Sequence, residues 1–150
     1  YFMMIQTVAL GADHGGFELK NAVKEHLLSR GITVTDCGTN SDASVDYPDM
    51  AVPPCELVLA GKAEAALLFC GTGVGISIAA NKIKGIRACC CSDVFSATYT
   101  RLHNDANALC LGGRVVGAGL ACSLVDAFID SDFEGGRHAL RVAKITALEK

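Results

Sequence analysis

The chain has 150 residues, of which 51% are hydrophobic and 19% are charged, and its formal net charge is −3. This length supports one core, so we expect a single domain over residues 1–150. The slightly acidic balance and the lack of basic runs argue against nucleic acid or an acidic membrane surface as a partner. No apolar stretch approaches the roughly 20 residues of a membrane span.

The opening YFMMIQ lacks the basic, apolar and small-residue order of a signal peptide, so we expect a cytoplasmic protein. Tyr1 and Phe2 precede two methionines, and we expect them to be an addition outside the fold. The eight cysteines form no C-x-x-C pair, which argues against disulfides and zinc. We therefore expect no metal and predict that most thiols, including the run Cys89–Cys91, pack as small apolar side chains.

Short apolar runs alternate with segments of helical periodicity, which favours a parallel sheet with crossover helices. The prediction is a single three-layer α/β/α Rossmann-like domain with a mostly parallel five-stranded sheet. Strands are predicted over residues 7–13, 33–38, 65–70, 85–91 and 106–112. Helices are predicted over residues 16–31, from near 54, from about 74, and over 93–102, 117–130 and 137–150.

Two details of the helices are informative. Pro53 and Pro54 would interrupt a helix running from Asp49, so we place the start of the second helix near Pro54. His26 lies within the first helix and is predicted to be a solvated surface residue.

The segment LLFCGTGVGISIAANK, residues 67–82, joins an apolar strand to a helix through a glycine loop. Its glycines do not have the spacing of a dinucleotide fingerprint or of a P-loop. Asp93 lies about 20 residues further on, where a ribose-binding acid could sit, but the loop follows the third strand and a nucleotide site is disfavoured. The remaining interpretation is a cradle of backbone N–H groups for an oxyanion.

Cys70 is the last residue of the strand before this loop. The positive end of the following helix favours a thiolate there, so Cys70 could act as a base. Position alone favours core packing over catalysis, because seven other cysteines occur in the chain.

Several polar residues fall at predicted element ends. Arg137 and Arg141 are four residues apart, which fits either a solvated basic stripe or a clamp for a phosphate monoester. Histidines occur near element ends at 14, 103 and 138. Other residues could contact sugar hydroxyls or serve as turn and cap residues: Asp13, His14, Tyr47, Thr72 and Asn104.

Six segments occur in one order along the chain: GADHGGFELK, SVDYPDMA, FCGTGVGISIAANKIKGIRA, TRLHNDAN, GGRVVG and FEGGRHALRV. In this combination the chain resembles the RpiB/LacAB sugar-phosphate isomerase family, which includes the type B ribose-5-phosphate isomerases. The resemblance extends from about Ile5 to Glu149. It implies interconversion of ribose 5-phosphate and ribulose 5-phosphate without cofactor or metal, by a homodimer or tetramer whose active sites draw on both subunits.

The resemblance also implies residue roles. The family's base is a cysteine at the strand end or a glutamate six residues later, and this chain has Cys70 and Ile76 at those places. His103 matches the acid/base that opens the sugar ring, and Thr72 matches a sugar contact that could relay a proton. The matched binding residues are Asp13, His14, Tyr47 and Asn104 for the sugar, Gly71, Gly73, Val74 and Gly75 for the oxyanion, and Arg114, Arg137, His138 and Arg141 for the phosphate.

Two other functions remain open. A hexose 6-phosphate such as allose or galactose 6-phosphate would need the same proton-transfer groups and a longer pocket. A non-catalytic sugar-phosphate binding module would keep the arginines without needing Cys70 or His103. The Pro53-Pro54 pair and the run Cys89–Cys91 depart from the family pattern, and we expect both to lie away from the site.

Overall fold

The computed structural model describes residues 4–149, so the expectation for Tyr1 and Phe2 lies outside the described residues. Within this range strands and helices alternate along the chain. The strands are β1 (Thr7–Ala12), β2 (Thr33–Asp36), β3 (Ala65–Cys70), β4 (Ala88–Cys90) and β5 (Ala108–Gly112). The helices are α1 (Phe17–Ser29), α2 (Tyr47–Leu59), α3 (Val74–Asn81), α4 (Val94–Asn104), α5 (Ala118–Ile129) and α6 (Arg137–Thr146).

The five strands form one parallel sheet in the order β2-β1-β3-β5-β4. One face packs against α1, α4 and α5, and the other packs against α2 and α3. All six residues of the central strand β3 are buried, as expected for a strand covered on both faces. The predicted three-layer α/β/α fold is therefore confirmed. None of the helices within residues 4–149 is long and apolar enough to cross a membrane.

The order of the strands creates a crevice between β1 and β3. The chain passes outward from β1 to β2 and then returns across β1 to form β3. Open α/β sheets bind ligands at such reversals, beyond the carboxyl ends of the strands. Asp13 follows β1 and Gly71 follows β3, so the loops that begin with these residues border the crevice.

Helix α2 corrects the prediction that it would begin near Pro54. It runs unbroken from Tyr47, with Pro53 and Pro54 inside it, although each proline removes a backbone donor. Tertiary packing offsets this loss, because Ala51 and Cys55 are fully buried against the sheet. Gly11 of β1 provides the room: a side chain there would meet the Met50 carbonyl oxygen and lie 2.7 Å from Pro54 Cγ.

Two further predictions about the elements are wrong. The fourth strand is confined to Ala88–Cys90, and Gly85 stands at a positive φ of 89° in the turn before it. His26 is half-buried rather than solvated, since its Nε2 lies 2.7 Å from Asp126 Oδ1. Arg30 binds the same carboxylate at 2.8 Å, so these side chains join α1 to α5.

Substitution Gly11→Ala should destabilise the fold by about 1–3 kcal/mol, because a methyl group would overlap the proline-containing turn of α2. Urea denaturation would measure the loss. Gly119→Ala in α5 is the control, since that position has open space around it and alanine is the better helix former. Equal stability of the Gly11→Ala variant and the wild type would mean that α2 does not depend on this gap.

Candidate active site

Cys70 lies at the carboxyl end of β3, where its side chain meets the loop leading into α3. Its Sγ accepts a hydrogen bond from the Gly73 N–H at 3.1 Å, and the residue is 4% exposed. Gly73 has a φ of +81°, and a side chain there would lie 2.8 Å from the Leu111 carbonyl carbon. The N–H that reaches the sulfur therefore depends on glycine at position 73.

The first turn of α3 has backbone donors that the helix cannot satisfy itself. Thr72 Oγ1 accepts the Val74 N–H at 3.2 Å, and Cys70 Sγ accepts that of Gly73. The remaining N–H groups of this turn belong to Gly75 and Ile76. They lie at the positive end of the helix, which suits an oxyanion next to Cys70.

The loop after β1 contributes two polar side chains to the same edge of the sheet. Asp13 is buried, and its Oδ1 accepts the Gly15 N–H at 2.9 Å. His14 Nδ1 lies 3.2 Å from the Val45 nitrogen and accepts its N–H. In neutral His14 this contact places the ring proton on Nε2, which leaves Nε2 as a hydrogen-bond donor.

Arg114 and Tyr47 border the glycine loop. Arg114 Nη1 lies 3.2 Å from the position that a Gly71 Cβ would occupy, and the Tyr47 ring lies 2.8 Å from that of a Gly75 Cβ. A cavity of about 250 Å³ lies between His14 and Arg114. The part of the predicted site brought together at this edge, here called the thiol half-site, comprises Asp13, His14, Tyr47, Cys70, Gly71, Thr72, Gly73, Val74, Gly75 and Arg114.

A second group of predicted residues surrounds the end of α4. The rings of His103 and His138 stack with centroids 4.0 Å apart and planes 10° apart. Glu134 Oε1 lies 3.2 Å from His103 Nε2 and 3.5 Å from His138 Nε2. Burial lowers the pKa of His138, and His103 and the nearby arginines lower it further. This group, here called the histidine half-site, comprises His103, Asn104, Arg137, His138 and Arg141.

The two half-sites lie at opposite ends of the parallel strands. Asn104 ends α4, and three residues later the Asn107 carbonyl accepts the Ala66 N–H near the start of β3. Cys70 stands at the other end of β3, four residues after Ala66 and about 13 Å away at the rise of a strand. One chain therefore does not bring His103 to Cys70, and it separates Arg114 from Arg137 and Arg141.

The run Cys89–Cys91 corrects two expectations. It does not lie away from the predicted site, because the Cys90 thiol donates to the Thr72 carbonyl oxygen at 3.6 Å. It is also not uniformly packed, since Cys91 is buried, Cys89 is half-buried and Cys90 is exposed. Although Cys90 is exposed as a residue, partial burial of its sulfur raises its pKa, as do Cys70 and Cys89.

Glu134 is the side chain of this site that sequence reasoning missed. The sequence held one signal for it: Glu134 lies four residues before His138, and in a helix this spacing places two side chains on adjacent turns. Glu134 itself precedes α6, and His103 is distant in sequence, so only the fold brings all three together.

Comparison with known proteins shows the family of the chain. Residues 8–145 match the family described as Ribose/Galactose Isomerase. The chain belongs to this family. It is 49% identical to ribose-5-phosphate isomerase B of Escherichia coli, over 97% of this chain and 98% of that protein. A structure of Clostridium thermocellum ribose-5-phosphate isomerase B matches with a TM-score of 0.94 and 48% identity, over 95% of this chain and 97% of the other.

A second relative differs in its named substrate. The D-erythrulose-4-phosphate isomerase of Pectobacterium atrosepticum is 41% identical to this chain, over 93% of this chain and 92% of that protein. The relatives of this chain are thus named for more than one sugar phosphate. In this chain the position of the alternative glutamate base is occupied by Ile76, which has no carboxylate. Its side chain is fully buried in the core that the sheet forms with α2 and α3.

A buried ion pair supports the loop that contacts His14. Lys20 is fully buried, and its Nζ lies 2.7 and 2.8 Å from the two Asp36 carboxylate oxygens and 2.6 Å from Asn40 Oδ1. Burial acts to raise the pKa of Asp36, but the hydrogen bond from Lys20 and a backbone N–H outweigh it and the pKa is lowered. The pair therefore fixes the segment that leads from β2 toward Val45.

Removal of the buried ammonium by Lys20→Met should cost about 3 kcal/mol of folding free energy at neutral pH, because Asp36 loses its main partner. Asp36 stabilises the fold fully above its unfolded-state pKa of ~3.9, and this contribution is lost as the pH falls through its lower folded-state pKa. The stability difference between the variant and the wild type should therefore shrink in acid.

Urea denaturation at neutral and acidic pH would measure both effects. Lys24→Met is the matched control, because the Lys24 ammonium lies 3.3 Å from the same carboxylate but its side chain is 34% exposed. We expect the Lys24→Met variant to lose less than about 1 kcal/mol of its free energy of unfolding. Equal losses in the two variants would contradict the assignment of Lys20 as the main partner.

Proposed function

We propose that this chain is an aldose–ketose isomerase that interconverts ribose 5-phosphate and ribulose 5-phosphate. The observation that carries this is the Cys70 sulfur, which meets the Gly73 N–H beside the open N-terminus of α3. Such a position supplies a base and oxyanion donors at one place. The name and 49% identity of the E. coli relative support the choice of substrate.

The reaction begins with opening of the sugar ring. The closed hemiacetal has no free carbonyl, so a proton must leave the anomeric hydroxyl while another is added to the ring oxygen. His103 performs this step, since imidazole both accepts and donates protons near neutral pH. Glu134 and His138 contact His103 and restrict its ring.

Proton transfer between carbons then follows at the thiol half-site. The Cys70 thiolate takes the proton from carbon 2, and the electron pair of that bond forms the enediolate. The N–H groups of the glycine loop stabilise the negative oxygen. The Cys70 thiol returns the proton to carbon 1, while the Thr72 hydroxyl relays the proton that moves from oxygen 2 to oxygen 1.

The phosphate and hydroxyl groups are held at a distance from the reacting carbons. Arg114, Arg137, His138 and Arg141 bind the phosphate, for which the arginine fork is suited. Binding of this unreacting group positions carbon 2 against Cys70. The sugar hydroxyls are bound by Asp13, His14, Tyr47 and Asn104.

The active form is a homodimer or a tetramer, with active sites shared between subunits. The separation of the two half-sites supports this, because a site with Cys70 and His103 needs a second copy. Apolar side chains along one border of the molecule are suited to the contact: Val74, Ile78, Val94 and Phe95 are each at least 44% exposed. The strand β4 lies at this open edge of the sheet.

Further features belong to the same proposal. Residues 1–150 act as one isomerase domain, the protein works in the cytoplasm, and the reaction uses no metal or cofactor, because side chains and backbone donors suffice for each proton transfer. A four-carbon sugar phosphate is a second candidate substrate, favoured by the name of the Pectobacterium relative. Hexose 6-phosphates and a non-catalytic binding role remain the alternatives that assays must compare.

Substitution Cys70→Ala should abolish isomerisation and leave sugar-phosphate binding, because the arginines and backbone donors remain. Turnover of pentose, tetrose and hexose phosphates, measured in the presence of EDTA, is the assay. Cys110→Ala, which removes another buried thiol on the same face of the sheet, is the control and should retain turnover. Substantial turnover by the Cys70→Ala protein would refute Cys70 as the base, and no turnover by the wild type would favour a binding module.

Mixed dimers test whether the sites are shared. Cys70→Ala and His103→Ala proteins should each be inactive, but subunit exchange between them should restore roughly a quarter of the wild-type sites, since a mixed dimer contains one site with both residues intact. Activity is followed before and after unfolding and co-refolding of the two proteins. A persistent lack of activity, with mixed dimers shown by mass spectrometry, would contradict sharing.

A further inference from the structure

Glu134, His103 and His138 form a group that proton transfer alone does not explain. Their ligand atoms lie within 4.8 Å of one another, the one such group among residues 4–149. The three side chains come from the end of α4, the loop before α6 and the first turn of α6. A carboxylate between two imidazoles is a ligand set that zinc accepts.

The distances agree with those within a metal coordination sphere. Zinc binds nitrogen and oxygen at about 2.0–2.2 Å, so adjacent ligands of a tetrahedron stand about 3.3–3.6 Å apart. Glu134 Oε1 lies 3.2 Å from His103 Nε2 and 3.5 Å from His138 Nε2. Both Nε2 atoms thus lie near one carboxylate oxygen, and the stacked rings must turn toward each other for both lone pairs to face one ion.

Exposure and charge decide how such an ion would bind. The side chains of His103 and Glu134 are 37% and 52% exposed, whereas that of His138 is 10% exposed. The ion can enter from solvent while packing holds one ligand in place. Glu134 supplies a negative charge, but Arg137 and Arg141 on the helix that carries His138 oppose a cation, so the site should bind zinc reversibly and not as a permanent structural ion.

We propose that His103, Glu134 and His138 bind a zinc-class divalent cation, and that the bound ion inhibits the enzyme. Coordination of His103 Nε2 blocks one nitrogen of the proposed ring-opening residue and adds positive charge beside it. The binding rests on geometry alone, whereas the inhibition rests on the proposed function. Zinc is here an inhibitor, and chelation should preserve or raise activity.

Metal-free protein titrated with Zn²⁺ in a calorimeter, with Co²⁺ as the spectroscopic probe, tests the binding. Tetrahedral coordination intensifies the visible absorption of Co²⁺. Glu134→Gln and His138→Asn should each weaken the site at least ~10- to 100-fold, the range already seen when an outer-shell partner is removed. His26→Asn is the matched control, because His26 pairs with one carboxylate and should leave the affinity unchanged.

Cysteine thiols are the alternative zinc ligands that the experiment must distinguish from the histidines and Glu134. Cys70→Ser should keep the same zinc affinity, and a Co²⁺ complex should lack sulfur-to-metal charge transfer. The proposal is overturned if folded wild-type protein binds no zinc, or if Cys70→Ser loses the ion while Glu134→Gln keeps it. Zinc binding is measured here without any turnover assay. Failure of the proposed isomerase activity would therefore not affect the result for zinc binding, and the two can be told apart.

Discussion

The central strand β3 keeps the two halves of the candidate site apart. Cys70 lies at its carboxyl end, and the loop that follows Asn104 lies near its amino end. The strand is buried on both faces and hydrogen-bonded to neighbours on both sides, so it cannot shorten or bend to bring the halves together. Any catalysis that uses both halves must therefore be a property of an assembly, with geometry set by the contact between copies.

The eight thiols occupy different surroundings, and these surroundings separate Cys70 from the others. Burial raises the pKa of Cys55 to about 11 and that of Cys91 to about 12, and it raises the pKa of Cys110 well above its usual value. These sulfurs behave as small apolar groups. Cys70 is also buried, but it accepts a backbone N–H at the start of a helix, and this contact is what makes its sulfur a candidate base.

The sequence predicted the order of strands and helices because alternating apolar runs and helical periodicity carry that information locally. It failed at Pro53 and Pro54, where local propensity is outweighed by a gap that Gly11 leaves on a neighbouring strand. Such compensation depends on residues about 40 positions apart and has no local signal. Glu134 and Cys90 were missed for the same reason, since their partners become neighbours only in the fold.

Most candidate residues came from the resemblance of whole motifs, and spacing alone left their roles open. Arg137 and Arg141 do share one helix face, but their helix meets His103 through His138, whereas Arg114 lies beside Gly71. The span available to a sugar phosphate between Cys70 and these arginines is consequently not set within one chain. The relatives include isomerases named for a five-carbon and for a four-carbon sugar phosphate. In the proposed dimer, a small shift of one copy against the other would change this span without altering any residue that contacts the reacting carbons. In the proposed dimer, selectivity for the sugar would therefore depend on the exposed residues proposed to form the contact, such as Phe95, as well as on the residues that line the thiol half-site.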